Sequence, residues 1–163
     1  MASTEALPPC GIYRTTVPVG SIEANRLVFF HNHGEPGPGL YLPTAWDANR
    51  ARFASKGETL PEPVEPTAAT LEPLAREGFY RVVTPFFCCE KHCREFETDL
   101  LVQLGYNGAA EPILFVPELE RLGVGLPTVG TAIDREKVRD LAPLKVAQRS
   151  ALDATAEPDG VLH

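Results

Sequence analysis

Leu100-Leu101-Val102-Gln103-Leu104-Gly105-Tyr106-Asn107-Gly108-Ala109-Ala110-Glu111-Pro112-Ile113-Leu114-Phe115-Val116 is the stretch that decides the fold class. Leu100 to Tyr106 and Ile113 to Val116 read as the two strands of a hairpin. Asn107-Gly108 in their connection is a favoured turn pair, although the connection exceeds the two residues of the tightest hairpins. Both runs are nearly continuously apolar, whereas a strand with one wet face would alternate. A sheet covered on both faces follows. The expected fold is therefore a β-rich α+β one: a compact small sheet or barrel with two or three short helices.

The flanking sequence supplies more short elements. Gly78 to Phe87, Ile12 to Val17 and Arg26 to Phe30 are rich in β-branched and aromatic residues and read as strands, with Leu40 to Leu42 as a further short one. Thr44 to Lys56 reads as a helix. Thr44 stands as its cap with Asp47 three residues on, Trp46 and Phe53 are its inward anchors, and Gly57 is its stop. Asp134 to Leu141 reads as a second short helix with Asp134 at its cap and an Ile133–Val138 staple, ended by Pro143. Leu144 to Val146 can return to a sheet edge.

Proline, at 16 of 163 residues, is about double its usual ~5% share. Four of these, at 61, 63, 66 and 73, mark residues 57–73 as a polar loop outside the core. The expected organisation is one globular unit over residues 11–147 with this proline-rich excursion at 57–73, and flexible termini at 1–10 and 148–163.

The formal charge of −7 and a pI near 5.1 exclude non-specific nucleic-acid binding and docking on an anionic membrane, because both partners repel an acidic surface. No run approaches the ~18 apolar residues of a membrane span. Residues 1–10 lack the basic and apolar regions of a signal peptide. The expectation is a cytoplasmic protein with reduced thiols.

Two clusters carry chemistry. Cys88-Cys89-Glu90-Lys91-His92-Cys93 packs three of the four cysteines into six residues. On a short helix from Cys88 to Thr98, Cys89, His92, Cys93 and Phe96 share one face, which reads as wall material of the core. Two other readings stand beside it. Thiolates and imidazole are the donors zinc prefers, and Cys88, Cys89, His92 and Cys93 include enough of them for most of a site. Cys88 or Cys89 near His92 also meets the outline of a reactive thiol. The second cluster is His31-Asn32-His33-Gly34-Glu35. Two imidazoles fall on one side of an extended chain. With Glu35 they resemble part of the metal triad of a cupin-type site, with the carboxylate closer to the histidine pair than it stands there. Pro36-Gly37-Pro38-Gly39 is not a phosphate loop: the glycine spacing is wrong, no Lys-Ser/Thr follows, and proline removes donors that a phosphate needs. No nucleophile elbow and no zincin motif occurs.

Without a complete catalytic constellation, the expected function is a non-catalytic protein-binding or assembly module, engaging a partner protein or itself. The alternative is a metal-dependent enzyme, with His31, His33 and Glu35 holding the metal and Cys89 or Cys93 nearby; zinc is the candidate cofactor.

Overall fold

A computed structural model describes residues 6–148. It is β-rich, with several sheets, none of them closed into a barrel, and two short helices. The chain opens with β1 (Gly11–Arg14), β2 (Leu27–His31) and β3 (Gly39–Tyr41), then a hairpin of β4 (Pro43–Asp47) and β5 (Arg50–Phe53). Next come β6 (Glu58–Thr59), the single-turn α1 (Val64–Ala68) and β7 (Glu72–Pro73). The second half holds β8 (Gly78–Val82), the short hairpin β9 (Phe86–Phe87) and β10 (Glu95–Phe96), then β11 (Leu101–Tyr106) and β12 (Pro112–Phe115). A hairpin of β13 (Glu118–Glu120) and β14 (Gly123–Gly125) precedes β15 (Thr131–Ala132). A 3₁₀ turn at Arg135–Asp140 leads into β16 (Leu141–Pro143).

Two five-stranded sheets organise these elements. The first runs β6-β3-β2-β1-β7 and the second β15-β12-β11-β8-β16, with every neighbouring pair antiparallel. Strand β2 divides its side chains between two cores, as the two-residue strand period requires. Val28 and Phe30 enter a cluster with Tyr13, Leu40, Leu60, Val64 and Leu71. Leu27 enters the other, with Val82, Phe96, Val102, Leu104 and Leu114. The first sheet is therefore covered on both faces.

The Leu101–Phe115 hairpin is where the sequence placed it, with Gln103 opposite Phe115 and Tyr106 opposite Pro112. Its connection is built differently from a two-residue turn. The Asn107 side chain accepts hydrogen bonds from the N–H groups of Ala109 and Glu111, and Ala110 takes the left-handed conformation at φ 60°. Val102, Leu104 and Tyr106 of β11 face the core. On its other face, Gln103 and Gly105 meet the β4–β5 turn: a Cβ on Gly105 would stand 2.8 Å from the Asn49 carbonyl oxygen.

That contact corrects the expectation of a helix over Thr44–Lys56. Ala48 and Asn49 both have positive φ, 49° and 65°, the signature of a tight two-residue hairpin turn in which Asn is a favoured residue. The helical spacing of Trp46 and Phe53 coincides with a β arrangement. Trp46 is 44% exposed and its indole N–H donates to the Tyr106 carbonyl at 2.8 Å. Gly57 is not a helix stop. A Cβ there would lie 2.0 Å from the Leu40 carbonyl oxygen, so glycine permits a close chain crossing.

Residues 57–73 also depart from expectation. Rather than a polar excursion, they supply β6, α1 and β7 to the edges and cover of the first sheet. Leu60, Val64, Ala68 and Leu71 are buried. The apolar residues are sparse but spaced to share one side, and the prolines stand between them.

In place of the expected α-helix over Asp134–Leu141 stands the 3₁₀ turn Arg135–Asp140, and Asp134 makes no side-chain cap. The sheet-edge return falls on β16, three residues earlier than Leu144–Val146. Residues 7–10 are tied down: Leu7 packs on the first sheet's core, and Tyr13 Oη–H donates to the Pro9 carbonyl at 2.7 Å. Of the expected flexible termini, residues 1–5 and 149–163 lie outside the described residues.

Candidate metal centres

The structure gathers metal-type donors into two separate groups, each with its ligand atoms within 4.8 Å of one another: Cys10 with His31 and His33, and Cys88 with Cys89 and Cys93. Among the described residues no such group joins members of both. Glu35 belongs to neither group.

The first group sits where the first sheet begins. Antiparallel pairing sets Gly11 opposite Phe30, so Cys10, one residue before β1, comes beside the end of β2 and the residues that follow. The Asn32 N–H donates to Cys10 Sγ at 3.3 Å, and Asn32 Nδ2 donates to the Pro8 carbonyl at 3.1 Å. Cys10 Sγ lies 3.6 Å from His31 Nδ1 and 3.8 Å from His33 Nδ1. The two imidazoles lie tilted against each other at 48°, with centroids 4.0 Å apart. Cys10 is the member that sequence reading did not attach to this histidine pair. The missing signal is long-range strand pairing, 21 residues apart in the chain.

The second group sits in the β9–β10 hairpin, not on a helix, which corrects the shared-face reading of Cys88–Thr98. Phe86 pairs with Phe96 and Phe87 with Glu95. The Cys88 N–H then donates to the Arg94 carbonyl at 2.9 Å, closing the loop between them. Inside it the His92 N–H reaches the Cys89 carbonyl at 3.0 Å, and His92 takes φ 52°. The loop exposes its three cysteines to different degrees. Cys88 is buried, Cys89 half-buried and Cys93 exposed. The buried wall residue of the core is thus Cys88, with Cys89 packed partly against the same core, while Cys93 of the expected face is exposed. His92 is not among the donors; its ring stacks flat on Phe87 at 4.1 Å.

The pKa values of Cys89 and Cys93 are shifted in opposite directions. Cys88 Sγ–H donates to Cys89 Sγ at 3.6 Å. The Lys91 backbone N–H, together with that contact, holds the Cys89 thiol below its ordinary range, while the Cys89 negative charge pushes the Cys93 thiol up. Hydrogen bonds to the ionised sulfur favour it. Cys89 also borders an open groove of about 800 Å³ with Lys91, Asp134, Arg135 and Glu136. Chemically this is a trio of sulfurs in which Cys89 ionises more readily than Cys93, able to take a soft cation or, as thiolate, to attack an electrophile.

A third surface stands apart from both. The β13–β14 hairpin rises between β12 and β15, strands that pair directly with each other at Ile113 and Ala132. Every residue from Glu118 to Val124 is exposed. Leu119 is 89% exposed, Leu122 97% and Val124 63%, with Val129 at the hairpin's base 82%. No helix among the described residues is long and apolar enough to cross a membrane. Comparison of the chain with known protein families, with curated proteins and with solved structures found no match.

Proposed function

We propose that the protein is an assembly module that joins to a second copy of itself through the β13–β14 hairpin. The observation that carries this reading is the row of leucine and valine side chains held out in water. Isolated large apolar residues on a surface are ordinary, but several together on one projecting element mark an interaction surface. A two-stranded ribbon is at best marginally stable alone and gains from added strands.

Charge selects the edge. Strand β13 carries Glu118 and Glu120, which guard against strand addition, whereas Gly123-Val124-Gly125-Leu126 carries no charge. Two copies meeting antiparallel along β14 form a four-stranded sheet about a two-fold axis, with Val124 near its counterpart. A leucine or valine buried fully by the joined sheets contributes about 1.5–3 kcal/mol, and one covered in part contributes in proportion to the apolar area it loses to contact. The −7 charge of each copy opposes approach and is screened by salt.

Light scattering across protein concentration and ionic strength tests this. The expected mass rises from one chain to two with concentration, and the midpoint falls to lower concentration as sodium chloride is added. The double variant Leu122→Ser, Val124→Ser should stay at one chain with an unchanged circular-dichroism spectrum, and at dilutions where the wild type is a single chain its melting temperature should match, because neither side chain packs in a core. A wild-type chain that remains a monomer at every concentration and salt overturns the reading, as does a variant that dimerises equally well.

A further inference from the structure

We propose that Cys10, His31 and His33 form a binding site for a zinc-class divalent ion, with three protein ligands and a fourth position open to solvent. The donor spacing carries the proposal. Zinc binds sulfur at about 2.3 Å and imidazole nitrogen at about 2.0–2.1 Å in tetrahedral geometry. Those lengths at the tetrahedral angle set a sulfur and a nitrogen on one ion about 3.5 Å apart. The two Sγ–Nδ1 separations here are 3.6 and 3.8 Å, with both nitrogens on the side of the ring that faces the sulfur. One thiolate and two neutral imidazoles suit zinc in both softness and charge.

The surroundings hold these donors in place. Cys10 is fixed by the N–H of Asn32 at 3.3 Å, a contact that suits the negative charge of a metal thiolate. Gly34, at φ 127°, leaves space for the His31 ring; a Cβ would lie 3.3 Å from its Cδ2. Asn32 Oδ1 accepts from the Cys10 thiol at 3.1 Å and lies 2.7 Å from His33 Nδ1. Zinc takes a deprotonated sulfur and the unprotonated nitrogen of an imidazole, so binding releases protons. Cys10 and His33 are exposed, and no fourth Cys, His, Asp or Glu joins the group among the described residues. Three protein ligands with one position left to water is the arrangement of zinc sites that engage an outside ligand, as distinct from closed structural sites. The ion would also clip residues 7–10 to the end of β2.

Cobalt titration of the reduced, chelator-treated full chain tests the site. The background Cys89→Ser, Cys93→Ser removes two of the other three sulfurs, and circular dichroism checks its fold. The expected result is one equivalent of cobalt per chain, with tetrahedral visible bands and a thiolate charge-transfer band. All are displaced by one equivalent of zinc, and zinc raises the melting temperature. Cys10→Ser should remove the charge-transfer band and the zinc-dependent stabilisation. In the otherwise wild-type chain, His33→Gln should lower the cobalt stoichiometry by one equivalent whatever the hairpin thiols bind. No cobalt band in the double-serine background, or a band that survives Cys10→Ser, overturns the proposal. Dimerisation through β14 is read separately by mass, so either proposal can fail alone.

Discussion

Replacing Gln103 by methionine should loosen the clamp between the β4–β5 turn and the second sheet. Gln103 is 2% exposed. Its amide nitrogen donates to the Ala48 carbonyl at 2.9 Å, and its oxygen accepts from Asn49 Nδ2 at 3.0 Å. Methionine keeps the length and unbranched shape of the side chain but makes neither bond. A hydrogen bond of this kind contributes a net ~0.5–1.5 kcal/mol, so the two together predict a loss of about 1–3 kcal/mol. Asn49 Nδ2 retains its bond to the Pro127 carbonyl at 2.8 Å, and Ala48 is exposed, so neither orphaned group adds a full desolvation penalty. Urea denaturation should show a midpoint lower by on the order of 1 M. A double-mutant cycle with Asn49→Ala isolates the shared bond and removes the turn propensity of Asn49 from the comparison. The coupling should be about 0.5–1.5 kcal/mol. A coupling below about 0.3 kcal/mol, within the range of independent sites, would refute the view that this pair fastens the hairpin to the sheet.

Two further expectations concern titrating groups. Burial raises the Glu77 carboxyl above its ordinary value, against weaker opposing pulls from the Ala51 N–H, Arg50 and Arg52. The native state then binds more protons than the unfolded state between the unfolded pKa, about 4.3, and the raised native one, so stability falls as pH rises through that window. Glu77→Gln, which can still accept from the Ala51 N–H, should gain on wild type over the same window in urea melts; a pH-independent difference would count against it. Among the hairpin thiols, alkylation followed by mass spectrometry should modify Cys89 at lower pH than Cys93, and Cys88 only after unfolding. Cys88 reacting first in the native protein would contradict its burial.

What the sequence determined by itself is the β-rich class and the central hairpin. The continuous apolar runs of Leu101–Tyr106 and Pro112–Phe115 allow few other outcomes, and the strand propensities of Leu27–Phe30 and Gly78–Val82 agree with where they pack. It also marked His31 and His33, since two residues apart in an extended chain point the same way. Local patterns failed where a distant contact decides between alternatives. Trp46 and Phe53 fit a helical period, yet the hydrogen bonds of Asn49 and Gln103, 54 residues apart, and the space over Gly105 favour a β turn. The residues 60–71 look like linker until the exposed face of β2 demands cover. Cys10 meets His31 only because β1 and β2 pair antiparallel, and Cys88 meets Cys93 because the β9–β10 hairpin closes the loop between them. Propensity and periodicity act over a few neighbouring residues, whereas burial and strand pairing are set by segments far away in the chain. The class of the fold is thus written locally, and which sulfur meets which imidazole is decided by the tertiary structure.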